Sequence, residues 1–165
     1  KVDSVAMERK RRDEKLWKEA YRVKPEQYKV SSITYVKSGE EKIVRIEKGR
    51  KETRITFAIA IGANEFWIYF SSALALVDQK TQARYMARYI EKGLAFDQTL
   101  VVTGCAKKLI EISVVFPPLK KSVEVIDIRA LTENFPNKMS DGGHGFEFRN
   151  IRIAEYAAVK TRIYK

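Results

Sequence analysis

Apolar and polar residues alternate with period two along much of the chain, most clearly over Thr53–Ile61. There Ile55, Phe57, Ile59 and Ile61 share one face while Arg54, Thr56, Ala58 and Ala60 share the other, the pattern of a half-buried antiparallel strand. Residues 28–36 and 41–48 read the same way, separated from their neighbours by Ser38-Gly39 and Gly49-Arg50. Residues 66–70 and 74–77 are almost uninterruptedly apolar, which predicts strands near the centre of a core. Asp78-Gln79-Lys80-Thr81 predicts a turn into residues 83–90, where Tyr85, Ala87 and Tyr89 alternate against Arg84, Met86 and Arg88. Residues 98–103 and 109–116 predict a pair about Gly104, with Ile110, Ile112, Val114 and Phe116 inward and Glu111 and Ser113 outward. Pro117-Pro118 ends that strand, since two successive residues lack an amide donor. Residues 123–128 and 146–153 complete the set. Phe146 and Phe148 are out of phase with Ile151 and Ile153, so a bulge is expected near Asn150. The tail, 154–165, is open to either helix or strand.

The period changes at the N-terminus. Residues 3–22 lack Pro and Gly, are rich in Glu, Lys, Arg, Leu and Ala, and follow a cap at Asp3 or Ser4, which predicts a helix. Its apolar residues Leu16, Trp17, Ala20 and Tyr21 fall on one side, and the charged stretch 8–15 is solvated. Pro25 closes the segment. The chain is thus expected to comprise a basic helical arm, residues 1–27, and a β domain, residues 28–165. Roughly ten short strands at regular spacing fit a mainly β, two-sheet antiparallel sandwich better than a parallel α/β fold.

A chain of 165 residues with 45% hydrophobic content can bury one domain-sized core. Lys and Arg number 32 against 21 Asp and Glu, a formal charge of +11, which favours nucleic acid, anionic membrane surfaces or acidic glycans as partners. The excess is spread along the chain: residues 1–30 carry ten basic and six acidic side chains, residues 31–60 seven and four. Cys105 is the single cysteine, so an intrachain disulfide is excluded, and it reads as a small residue beside a turn. The apolar stretch 55–77 is interrupted by Gly62, Asn64 and Glu65 and does not read as a membrane span. There is no signal-peptide pattern, and a start at Lys1 rather than Met points to a processed or truncated product.

The residues offer little catalytic chemistry. His144, the sole histidine, sits in Asp141-Gly142-Gly143-His144-Gly145, a loop sequence without a Gly-x-Ser-x-Gly elbow elsewhere to serve. Those glycines lack the Gly-Lys-Ser/Thr of a phosphate loop, and one Asp with one His falls short of a metal site. Glu40-Glu41 follows a turn, and Glu124 and Asp127 have opposite strand parity. The chain therefore reads as non-enzymatic, with no cofactor. Phe66-Trp67-Ile68-Tyr69-Phe70 reads first as core, with Trp67 and Tyr69 on one face and the alternative of a stacking platform if that face is open.

The order of features from 53 to 128 carries a resemblance: the alternating strand with Thr53, Ile55 and Phe57; the Trp67 strand; Leu76-Val77-Asp78 leading through Thr81 to Tyr85; Val115-Phe116-Pro117-Pro118-Leu119; and Val125-Ile126-Asp127-Ile128. It resembles the immunoglobulin-like accessory domains of secreted or envelope proteins in anaerobic Gram-negative bacteria, some of which precede a thioredoxin-like module. Members often carry Thr-Gly where this chain has Thr81-Gln82. The resemblance implies an immunoglobulin-like sandwich in a noncatalytic secreted, periplasmic or envelope module that binds a protein or glycan partner. The alternative is a basic nucleic-acid-binding protein that uses the arm Arg9 to Lys18 together with Lys48, Arg50 and Lys51 near a turn.

Overall fold

The computed structural model describes residues 2–35, 37–132, 134–139 and 146–156. In chain order its elements are the helix α1 (Val2–Lys18) and the strands β1 (Tyr21–Arg22), β2 (Lys29–Val30), β3 (Glu41–Lys48), β4 (Thr53–Ile61), β5 (Glu65–Ile68), β6 (Leu74–Asp78), β7 (Arg84–Met86), β8 (Tyr89–Ile90), β9 (Leu100–Thr103), β10 (Lys108–Phe116), β11 (Val125–Ala130) and β12 (Phe148–Arg152). The chain is mainly β with one N-terminal helix, as its periodicity predicts. That helix stops at Lys18, and Tyr21 and Arg22, expected to be helical, pair with β9 instead.

Three hydrogen-bonded sheets share one core. The central sheet runs β2-β10-β4-β3, a second runs β12-β11-β6-β7, and a third runs β1-β9-β5. All pairings are antiparallel except β1 with β9. β2 and β8 divide one edge of β10, Val30 pairing with Ile110 and Ile90 with Val114. Phe57 from β4, Leu76 from β6 and Leu100 from β9 are fully buried members of a single cluster. Phe57 lies 4.9 Å from Phe146 and 5.7 Å from Phe148, and Phe70 stacks on Phe146 at 4.6 Å. These rings join the central sheet to the start of β12, burying aromatic area whose loss by truncation typically costs several kcal/mol.

β4 departs from its expected half-burial. Ile55, Phe57, Ile59 and Ile61 enter the core as predicted, but Thr56, Ala58 and Ala60 are also buried. The reason is a second layer: Ile33, Tyr35 and Val44 pack with Ala58, Ala60 and Leu109 over the outer face. Small residues at 58 and 60 leave room for that cover. The strand expected over 28–36 is accordingly reduced to Lys29–Val30, and Ile33 and Tyr35 beyond it supply part of the lid.

Two expected pairings change because the chain switches sheets. Residues 83–90 are not one strand: the Ala87 amide donates to Leu74 O in the second sheet, and the next amide, Arg88, donates to Val115 O in the central sheet. One peptide step therefore stitches the layers together. Residues 98–103 do not pair with 109–116; β9 pairs with β5 and β1. Gly104 (φ 76°) and Lys107 (φ 66°) take left-handed conformations, which redirect the chain into the central sheet. By contrast the bulge at Asn150 is present. The β11–β12 register shifts between Ile126 and Ile128, and Asn150 has φ 56°. Its amide donates to Asp127 Oδ1 at 2.9 Å.

Candidate binding surface

The outer face of the central sheet holds a chain of charges that sets the electrostatics of its neighbourhood. Strand parity puts Arg45 and Glu47 of β3, Arg54 and Thr56 of β4, and Glu111 and Ser113 of β10 on this face, with Arg45 opposite Thr56 and Glu47 opposite Arg54. Arg54 meets Glu91 at 2.8 Å, Glu52 at 3.2 Å and Glu47 at 3.8 Å. Burial works against its charge, but Glu91, Glu47 and Glu52 more than reverse this and hold the guanidinium above its ordinary value. Arg45 donates to Thr56 Oγ1 at 3.3 Å and lies 4.0 Å from Glu111, whose carboxylate is nine-tenths buried. Thr56 and Ser113 hydroxyls are 2.8 Å apart. Carboxylates that would otherwise neutralise nearby cations are thereby bound to arginine.

Those nearby cations converge at one end of the sheet. Thr53 pairs with both Lys48 and Phe116, and Val115 pairs with Tyr89, so the 49–52 turn, residues 87–92 and residues 117–124 meet there. Over these stretches, with Lys48, there are seven basic and three acidic side chains. Lys48, Arg50, Lys51, Arg88, Lys120 and Lys121 are exposed. Two of the three acids, Glu52 and Glu91, are the ones Arg54 binds. Lys48 shares the parity of Ile46, and its Nζ donates to Val123 O at 2.9 Å and Lys121 O at 3.2 Å. Arg88 donates to Lys51 O at 3.1 Å, and the Tyr89 hydroxyl donates to Glu52 at 3.4 Å. The loops are thus tied to one another while Arg50, Lys51, Lys120 and Lys121 remain turned to solvent.

Of the three residues singled out from sequence, Arg50 and Lys51 belong to this surface, whereas Lys48 joins the central sheet to the segment entering β11. Arg88, Lys120 and Lys121 were missed. Lys120-Lys121, two residues past the paired prolines and after the buried Leu119, was a visible signal, since the prolines end the strand and the chain must turn there.

The basic arm is attached elsewhere. Arg12 donates to Pro136 O at 2.8 Å and Lys138 O at 2.6 Å, beyond the C-terminus of β11, whereas Lys48 holds carbonyls ahead of its N-terminus. A groove of about 850 Å³ lies between α1 and this segment, lined by Ala6, Arg9, Lys10, Trp17 and Met139 among others. Phe135 packs 6.2 Å from Tyr69, with Lys138 5.6 Å above its ring. Trp67 and Tyr69 are half-buried on the face opposite Phe66, Ile68 and Phe70, as alternation predicts. Burial, and then the neighbouring Asp97, push the Tyr69 phenol up to about 12.

Comparison with known proteins finds no matching family model, curated protein or solved structure.

Among the described residues no three His, Cys, Asp or Glu side chains group as a metal site. His144 and its glycine-rich loop, and the tail from 157 onward, lie outside the described residues. Cys105 is buried, with Sγ 3.1 Å from the Tyr28 hydroxyl. That contact, with burial, pushes the Tyr28 phenol up to about 12. No described helix is long and apolar enough to cross a membrane.

Proposed function

We propose that this chain is a non-enzymatic interaction module of the bacterial cell envelope, binding a protein or glycan partner, with its sheets arranged as an immunoglobulin-like sandwich. The observation that carries the reading is the convergence of exposed cations from three loops at one end of the central sheet, whose inner face is buried in the core. A stiff scaffold that displays a charged loop surface has the physical form of a recognition module. The resemblance over 53–128 supports the envelope setting and the sandwich. The nucleic-acid alternative draws less support, because it needs the arm and the Lys48 turn to act together, and they are tethered to different segments, the arm to residues 136 and 138 and Lys48 to residues 121 and 123.

The test is saturable binding of the labelled chain to isolated Gram-negative envelopes, with a cytosolic fraction as control and with chromatography of the bound material over time. Saturable, unchanged loading on envelopes is expected. Loading on the cytosolic fraction alone, or steady conversion of the bound material, would overturn the reading.

A further inference from the structure

We infer that the cationic loop end recognises an acidic polysaccharide, one bearing sulfate or uronate groups; this rests on the interaction-module reading and names its partner class. Three observations lead there.

The first is charge complementarity. Arg50, Lys51, Arg88, Lys120 and Lys121 are exposed, while Glu52 and Glu91 beside them are already engaged by Arg54. The surface therefore presents a marked positive excess, with Glu124 as the one acid of these loops that Arg54 does not engage. The second is preorganisation. Lys48 fixes residues 121 and 123 to the end of β3, and Arg88 fixes the 49–52 turn to the start of β8. Loops ordered before binding do not have to lose that freedom on contact, which is the main penalty of a loop-built site.

The third is the type and spacing of the groups. The cations are mostly lysines on long stems at loop tips, point charges rather than planar forks, and they fit single sulfates or carboxylates repeated along a flexible chain. Tyr89 is 48% exposed, sits next to Arg88 and has its hydroxyl held by Glu52, so its ring can take the apolar face of a sugar between the charges. Single-stranded nucleic acid is usually gripped by several stacked aromatics along a basic groove, and one exposed tyrosine on a set of loop tips supplies neither.

The experiment titrates the intact chain with fluorescent heparin oligosaccharide and with polygalacturonate, against neutral dextran, an oligodeoxythymidylate and anionic lipid vesicles, at low and physiological salt. Two variants carry equal charge changes. One replaces Arg50, Lys51, Lys120 and Lys121 by Ser; the other replaces Arg9, Lys10, Lys15 and Lys18 by Ser. Lys48 is left intact because it holds the fold, and thermal melts confirm that both variants remain folded. Binding to an acidic glycan is expected to fall by about tenfold or more in the loop variant and about twofold or less in the arm variant, consistent with four lost ion contacts of a few tenths of a kcal/mol each. Tyr89→Ala is expected to weaken the same glycan several-fold and leave its salt dependence unchanged. Equal losses in both variants would overturn the proposal, as would tighter binding of the oligonucleotide or the vesicles at physiological salt, or no acidic-glycan binding. If the loop variant still loads saturably on envelopes, only the glycan assignment falls; if the intact chain fails to load at all, the module reading falls with it.

Discussion

The helix α1 and the loop end around Lys48 are both basic in sequence, yet the fold treats their charges differently. α1 carries six basic and four acidic side chains, and the acids are interleaved: Arg9 with Asp13, Lys10 with Glu14 and Glu14 with Lys18 stand four apart, within reach on one helix face. Arg12 is committed to backbone carbonyls. At the loop end Glu47, Glu52 and Glu91, sequence neighbours of Lys48, Lys51 and Lys92, turn to an arginine instead. Glu47 lies on the outer face of β3, and with Glu52 and Glu91 it gathers on Arg54. A segment's formal charge therefore says little about its field. Strand parity and one well-placed arginine decide which charges remain available to a partner.

Removing that arginine is the strongest way to break the contrast. Arg54→Met deprives three carboxylates of the guanidinium they share, and a loss of about 3 kcal/mol in urea unfolding is expected, the scale for breaking a part-buried charge cluster. A loss below about 1 kcal/mol would mean the cluster is ordinary surface charge.

Next in size is a carboxylate on β3, the neighbouring strand, that no arginine among the described residues is seen to hold. Glu41 pairs opposite Ile59 on the core side of β3, and burial pushes its carboxyl from 4.5 up to about 7. The native state then binds the proton more tightly than the unfolded chain, so stability is full below about pH 4.5 and falls as pH rises through about 7. A shift of this size corresponds to about 3 kcal/mol, which partial exposure reduces to about 2 kcal/mol. Glu41→Gln should add that amount at pH 8 and nothing at pH 4, flattening the pH profile of chemical denaturation; an unchanged profile would place the titration elsewhere.

Two smaller changes separate the anchors. Lys48→Met removes donors to two carbonyls and is expected to destabilise globally by about 1.5 kcal/mol. Arg12→Ala should leave the global midpoint within about 0.5 kcal/mol, a surface-sized effect, while speeding proteolysis within α1. Equal global effects would erase the distinction between a cation that builds the body and one that docks an arm.

Much of the element plan was legible in the sequence, and what was misread shares one cause. The core face of β4, the inward set on β10, the stop at Pro117-Pro118 and the bulge at Asn150 follow from period and from proline or phase breaks, which act within a few residues. The Asp78–Gln82 turn is legible too: Asp78 accepts from Thr81 Oγ1 at 2.7 Å, and Gln82 adopts the left-handed φ of 64°. The sheet switch between Ala87 and Arg88 was not legible, because its alternation continues unbroken while the hydrogen-bond partners change. Nor was the partner of β9, since sequence neighbours pair by default and Gly104 could equally close a hairpin.

The candidate surface divides along the same line. Arg50 and Lys51 stand out because Gly49 marks a turn, and Lys120-Lys121 because prolines end a strand. That these loops meet, that Lys48 holds carbonyls and that Arg54 engages Glu52 and Glu91 all depend on registers between strands far apart in the chain. Amino-acid order alone determined the mainly β character, the helix, the core faces and the net charge, because propensity and period are local properties. Tertiary structure decided which faces are covered twice, which sheet each strand joins and which cations remain available, because those depend on long-range pairings that no local pattern encodes.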